Sequence, residues 1–122
     1  MTRATFRLDF DTNRRLGPGK IALLEAIRRT GSISAAGREF GMAYRRAWLL
    51  TNAINQMFSG PAVETRGGGK NGGGAHLTPL GEEIVRLYRE AERKMIHCAE
   101  QEIAALEAAL APDALPADEG GT

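Results

Sequence analysis

Two glycines ten residues apart, Gly31 and Gly41, cut the apolar periodicity of residues 18–58 into separate helical runs. That punctuation constrains the fold more than any other feature of the chain. The first run, Pro18 to Arg29, opens on a proline, which suits a first helical turn. It repeats Ile21, Leu24 and Ile27 at helical spacing, with Gly31 as its stop. Ser32 then caps a short second helix, whose apolar Ile33, Ala36, Gly37 and Phe40 fall at i, i+3, i+4 and i+7 before Gly41 breaks it. A third helix, Ala43 to Phe58, carries Ala47, Leu50, Ile54 and Met57 as its inward stripe. Tyr44, Arg45, Thr51, Asn52 and Asn55 lie mostly off that stripe, and Gly60-Pro61 ends the helix.

The flanks are simpler. Ala4 to Phe10 alternates, which predicts a short strand with Phe6, Leu8 and Phe10 on one buried face; the polar segment from Asp11 to Gly17 reads as a loop. After the third helix, AVETR (62–66) and AHLT (75–78) are extended runs on either side of GGGKNGGG, six glycines and a lysine in eight residues. Thr78-Pro79 opens a single long helix from Pro79 to Leu110, about 50 Å at 1.5 Å per residue. Its stripe (Ile84, Tyr88, Ala91, Met95, Ala99, Ile103, Leu106, Leu110) is near a heptad seam and suits packing against another helix. Residues 111–122 are acidic and proline-bearing, and read as a disordered tail behind one domain of residues 1–110.

A net charge of +1 hides an asymmetry. Residues 1–75 carry twelve Lys and Arg against five Asp and Glu, whereas residues 76–122 carry four against ten. A basic half of this kind is suited to a polyanion. The single cysteine, Cys98, excludes an internal disulfide, and His97 beside it points another way along a helix, so the two do not make a metal site. The absence of a signal-like start and of an apolar run near 20 residues predicts a cytoplasmic protein without a membrane span. No Ser-His-Asp set or carboxylate pair stands out, and the chain reads as a non-enzyme.

The glycine stretch has several chemical readings. Gly67, Gly69 and Gly72 satisfy G-x-G-x-x-G, but a dinucleotide site needs a helix opening directly off the glycines, and AHLT intervenes. Gly17-Pro-Gly-Lys20 fails as a phosphate loop, because Arg14 stands where glycine is required and Ile21 where Ser or Thr would hold magnesium. A linker needs a domain beyond it, and one helix with a tail is not one. A hairpin tip remains, with Lys70 and Arg66 placing positive charge where glycines permit close approach. Upstream, helix, glycine turn and helix make the layout of a helix-turn-helix, in which the second helix enters the major groove by its N-terminal residues. Arg45 and Arg46 suit that place, since a guanidinium can bind guanine O6 and N7 or clamp a phosphate. Trp48 reads as a packing residue at the helix edge, and His76 as a plain strand residue.

Together, GSISAAGREFGMAYRRAW and ETRGGGKNGGGAHLTPLGEEIVRLY resemble the N-terminal DNA-binding domain of ModE-type molybdate-responsive transcription regulators, over roughly residues 18 to 95. The resemblance implies a mainly α fold with a small β-hairpin: a winged helix-turn-helix with its wing at 62–78 and a long C-terminal dimerisation helix at 79–110. It also implies double-stranded DNA as partner, and a homodimer paired through the first and last helices to read a palindromic operator. The residues expected to face DNA are Ser34, Tyr44, Arg45, Arg46, Thr51, Arg66, Lys70 and Asn71. Full-length members carry a C-terminal oxyanion-binding module, and this chain ends before one could start. No cofactor is therefore expected, and molybdate sensing would fall to a separate protein partner. A winged-helix interaction module, pairing with another regulator without reading DNA, is the alternative reading.

Overall fold

Helix α1 (Pro18–Thr30) is the element around which the others gather, with Ile21, Leu23, Leu24, Ala26 and Ile27 all fully buried. The structure, a computed structural model, describes residues 2–66 and 74–112. The predicted stripe of α1 had three members. The observed one is wider because α1 is covered from several sides, by α2 (Ile33–Glu39) and α3 (Tyr44–Met57) and by the wing and α4 (Pro79–Cys98). Gly31 ends α1 in the left-handed region, and the Ser32 hydroxyl caps α2 by accepting from the Ala35 N–H at 3.0 Å. Gly41, at φ 69°, makes the turn into α3, a conformation that costs an L-residue energy and glycine little. Phe40, expected to complete the buried stripe of α2, is exposed, because the helix ends at Glu39 and the chain is already turning.

At the N-terminus the predicted strand is reduced to β1 (Leu8–Asp9), and it has an unforeseen partner. Arg15–Leu16, read as loop, forms β2 antiparallel to it, with Leu8 opposite Leu16. Only Leu16 of the pair enters the core. Phe10 remains largely exposed, although its ring stands edge-on to Phe58 at 6.3 Å, while Phe6 packs on Tyr88 at 5.2 Å. The Tyr88 hydroxyl donates to the Phe6 carbonyl, so the start of the chain is tied to α4.

The wing is an antiparallel pair, β3 (Val63–Thr65) and β4 (Ala75–Leu77), in the register Val63–Leu77, Glu64–His76, Thr65–Ala75. Val63, Ala75 and Leu77 face the core, and Glu64 pairs with His76 across the outer face at 3.5 Å. His76 is thus a strand residue, as read. The wing is fastened to α1 by the Ala75 N–H donating to the Gly31 carbonyl at 2.8 Å. It passes into α4 through Thr78, whose hydroxyl donates to the Pro61 carbonyl and caps the Gly81 N–H. A Cβ on Gly81 would lie 2.1 Å from the Ala62 carbonyl oxygen, so only glycine allows this approach. The architecture is a winged helix-turn-helix. Residues 67–73 and 113–122, and with them the wing tip and the expected disordered tail, lie outside the described residues.

The single long helix predicted from Pro79 to Leu110 is instead two. After α4, Ala99 leaves helical geometry (φ −101°, ψ 11°), and α5 (Glu100–Ala108) restarts with the Ile103 N–H donating to the Ala99 carbonyl. Of the heptad-like stripe, only Ile84 and Tyr88 are buried; Met95, Leu106 and Leu110 are exposed, and Ala91, Ala99 and Ile103 half-buried.

Arg89 clamps α4 to α1. Its Nε and Nη2 donate to the two carboxylate oxygens of Glu25 at 2.9 and 2.8 Å, while Nη1 reaches Glu92 at 2.8 Å. These hydrogen bonds from Arg89 hold the Glu25 carboxyl below its ordinary value of 4.5, against an opposing effect of burial. A depressed folded-state value contributes stability that is complete above the unfolded value and is lost as pH falls through the folded one. Glu25→Gln should therefore flatten the loss of stability on acidification below about pH 4.5 relative to wild type, measured by chemical denaturation at stepped pH.

Candidate nucleic-acid interface

Helix α3 has two faces of different chemistry. Ala47, Thr51, Ile54 and Met57 are buried, and Leu50 is half-buried beside them. Thr51 was expected to face DNA, but it is only 2% exposed and its hydroxyl donates to the Ala47 carbonyl at 2.8 Å. A hydroxyl that satisfies itself on its own helix can occupy an apolar stripe, which is why periodicity alone misassigned it. At about 100° per residue, Arg45, Leu49 and Asn52 lie within about 60° of one another, opposite the buried stripe. Tyr44 and Arg46 sit on the two flanks of that outward face. Tyr44 is 57% exposed and Trp48, one turn further along, is 42% exposed. Trp48 is thus partly an outward residue, more open than the packing role read for it.

The electrostatics follow the same division. All four cations of α4 have a carboxylate partner: Arg86 with Glu83, Arg89 with Glu25 and Glu92, and Arg93 and Lys94 with Glu90. On α1, Arg28 pairs with Glu82 at 2.8 Å and Arg29 with Glu39. Among the described residues, Arg3, Arg15, Lys20, Arg38, Arg45, Arg46 and Arg66 have no such partner, and α3 contains no Asp or Glu at all. Unmatched guanidinium groups on an acid-free face are what a phosphate backbone requires.

The other predicted residues divide. Ser34, in the first turn of α2, is half-buried and its hydroxyl accepts from Arg38 Nη1 at 3.0 Å, which holds that arginine against α2. Arg66 is exposed at the end of β3, where its backbone N–H donates to the Gly74 carbonyl at 2.9 Å. Lys70 and Asn71 lie outside the described residues. His97 and Cys98 are both exposed on the last turn of α4. Among the described residues, no three His, Cys, Asp or Glu side chains gather as a metal site, and no helix is long and apolar enough to cross a membrane.

Asn55 was missed. Read as a polar residue off the stripe, it joins α3 to the root of the wing: Oδ1 accepts from the Ala62 and Val63 N–H groups at 2.8 and 2.9 Å, and Nδ2 donates to the Val63 carbonyl at 3.0 Å. The signal available was the short link through Gly60-Pro61, which brings strand backbone beside the helix end and leaves polar groups in need of partners.

The fold and this arginine-bearing helix define a winged helix-turn-helix domain with a face suited to duplex DNA. Comparison with curated proteins is more particular. Over 81 residues the chain is 49% identical to the molybdenum-pterin-binding protein MopB of Rhodobacter capsulatus, a match covering 66% of this chain and 30% of that protein. Over 71 residues it is 46% identical to the transcriptional regulator ModE of Yersinia pestis (58% of this chain, 27% of that protein). Over another 71-residue match, with the same coverage, it is 42% identical to the DNA-binding transcriptional dual regulator ModE of Escherichia coli strain K12. No protein-family model matches the chain. Through its winged helix the chain is thus related to the ModE-type molybdenum regulators, and it spans about a third of the length of the curated relatives it matches.

Asn55→Ala would leave two N–H groups and a carbonyl at the wing root without their partner. The expected cost is roughly 1–3 kcal/mol, with faster hydrogen exchange at the Ala62 and Val63 amides, measured by denaturation and by exchange.

Proposed function

We propose that this chain is a sequence-specific DNA-binding transcriptional regulator linked to molybdenum, which reads its operator through α3 and uses the wing for phosphate contacts. The observation that carries the proposal is the acid-free α3, whose Arg45 and Arg46 have no carboxylate partner among the described residues while every cation of α4 has one. The kinship with regulators described as DNA-binding supports the same reading. Arg45, central on the outward face, is the base reader; Arg46, on its flank, serves the phosphate backbone.

The protein acts as a homodimer through α4 and α5. Support comes from the exposed Met95, Leu106 and Leu110 with the half-buried Ile96 and Ile103, a seam that a second copy would cover. The first helix was expected to share that interface, but its Ile and Leu side chains are already inside the protomer, so its share would be polar. A palindromic operator, with half-sites about one helical turn apart, follows from the two-fold symmetry of such a dimer.

Selection of bound duplexes from a random pool, at two salt concentrations and with and without molybdate, tests the proposal. Enrichment of a palindrome is the expected result; salt-insensitive behaviour with no duplex preference would mark a protein-interaction module instead. On the selected site, Arg45→Ala should cost ~1–3 kcal/mol and relax one base position. Arg46→Ala should weaken selected and random duplexes about equally, with a shallower salt dependence, both measured by titration.

A further inference from the structure

The outward face of α3 contains one residue that phosphate binding leaves without a role. Leu49 is 56% exposed, a full turn after Arg45 on the same line of the helix, with Asn52 three residues further on. Isolated exposed leucines are ordinary on protein surfaces. This one stands in the middle of an acid-free face between an arginine and an asparagine, two side chains that pair with base edges. The apolar feature that a base edge offers in the major groove is the C5-methyl group of thymine.

We infer that Leu49 is a specificity-determining residue that packs on a thymine methyl group in each half-site. The inference rests on the reading of α3 as the recognition helix. Four helical residues advance about 6 Å, and stacked bases rise about 3.4 Å, so the thymine lies within about two base-pair steps of the guanine held by Arg45. Asn52, at the next turn, lies beyond it along the same groove. Leu49 would thus add discrimination that charge cannot supply, because every base pair has the same phosphates and only one base carries the methyl.

Uracil substitution tests this on the intact protein, since replacing thymine by uracil removes the methyl and keeps the pairing edge. On the operator selected by wild type, each thymine is replaced singly and binding is titrated for wild type and Leu49→Ala. One thymine per half-site should weaken wild-type binding about fourfold when changed to uracil, the effect of removing one buried methyl-sized group. Leu49→Ala should bind both versions equally at that position and respond as wild type does elsewhere. Equal wild-type binding to thymine and uracil at every position overturns the inference while leaving DNA recognition intact. So does a methyl effect that persists unchanged in Leu49→Ala. Failure of wild type to enrich any sequence overturns both the inference and the reading beneath it. Because Leu49 is exposed, the melting temperature of Leu49→Ala should match wild type, and the wild-type uracil series stands independently of that variant.

Discussion

The burial of the broad apolar face of α1 is the constraint from which the rest of the molecule follows. A helix with five fully buried apolar side chains must be enclosed, and here α2, α3, α4 and the wing are all used to enclose it. Helices α2 and α3 cover one side, the wing and α4 the other, and the Gly31 carbonyl takes the Ala75 N–H where the two coverings meet. The position of α3 is therefore set by the core rather than by a ligand. Its outer face is left out of the core, because none of Arg45, Leu49 or Asn52 is buried.

The arginines illustrate a second division of labour. Those of α4 are spent on local carboxylates, and one of them, Arg89, also braces α1 through Glu25. Arg38, Arg45, Arg46 and Arg66 are left unmatched among the described residues, as are Arg3 and Arg15 near the start of the chain. Total charge near zero thus coexists with a basic first half of the chain, and the balance along the chain shows it better than the sum does.

Much of this was legible from residue order. The ends of α1 and α2, the glycine turn at Gly41 and the strands flanking the glycine stretch follow from local chemistry: capping hydroxyls, left-handed glycines and alternation. Three things escaped because their causes are not local. The β2 strand exists only because β1 is beside it; Ala99 interrupts α4 without a helix-breaking residue; and Thr51 enters the core because its hydroxyl found a carbonyl one turn back. At the candidate interface, the arginines could be recognised by type and position. Leu49 and Asn55 could not, the first because an exposed leucine carries no signal by itself. The second depends on where the wing root comes to rest.

That side-chain amide has a mechanical meaning as well. Three hydrogen bonds at Asn55, two accepted by its oxygen and one donated by its nitrogen, tie the end of α3 to the root of the wing. If, as proposed, both lie on one duplex, they could not adjust separately, so groove width and local twist would have to come to the protein already right or be bent to fit. Sequences that differ only in stiffness, away from any contacted base, would then bind with different strength. An uncharged residue facing away from the nucleic acid would in that way act as a caliper on the shape of DNA.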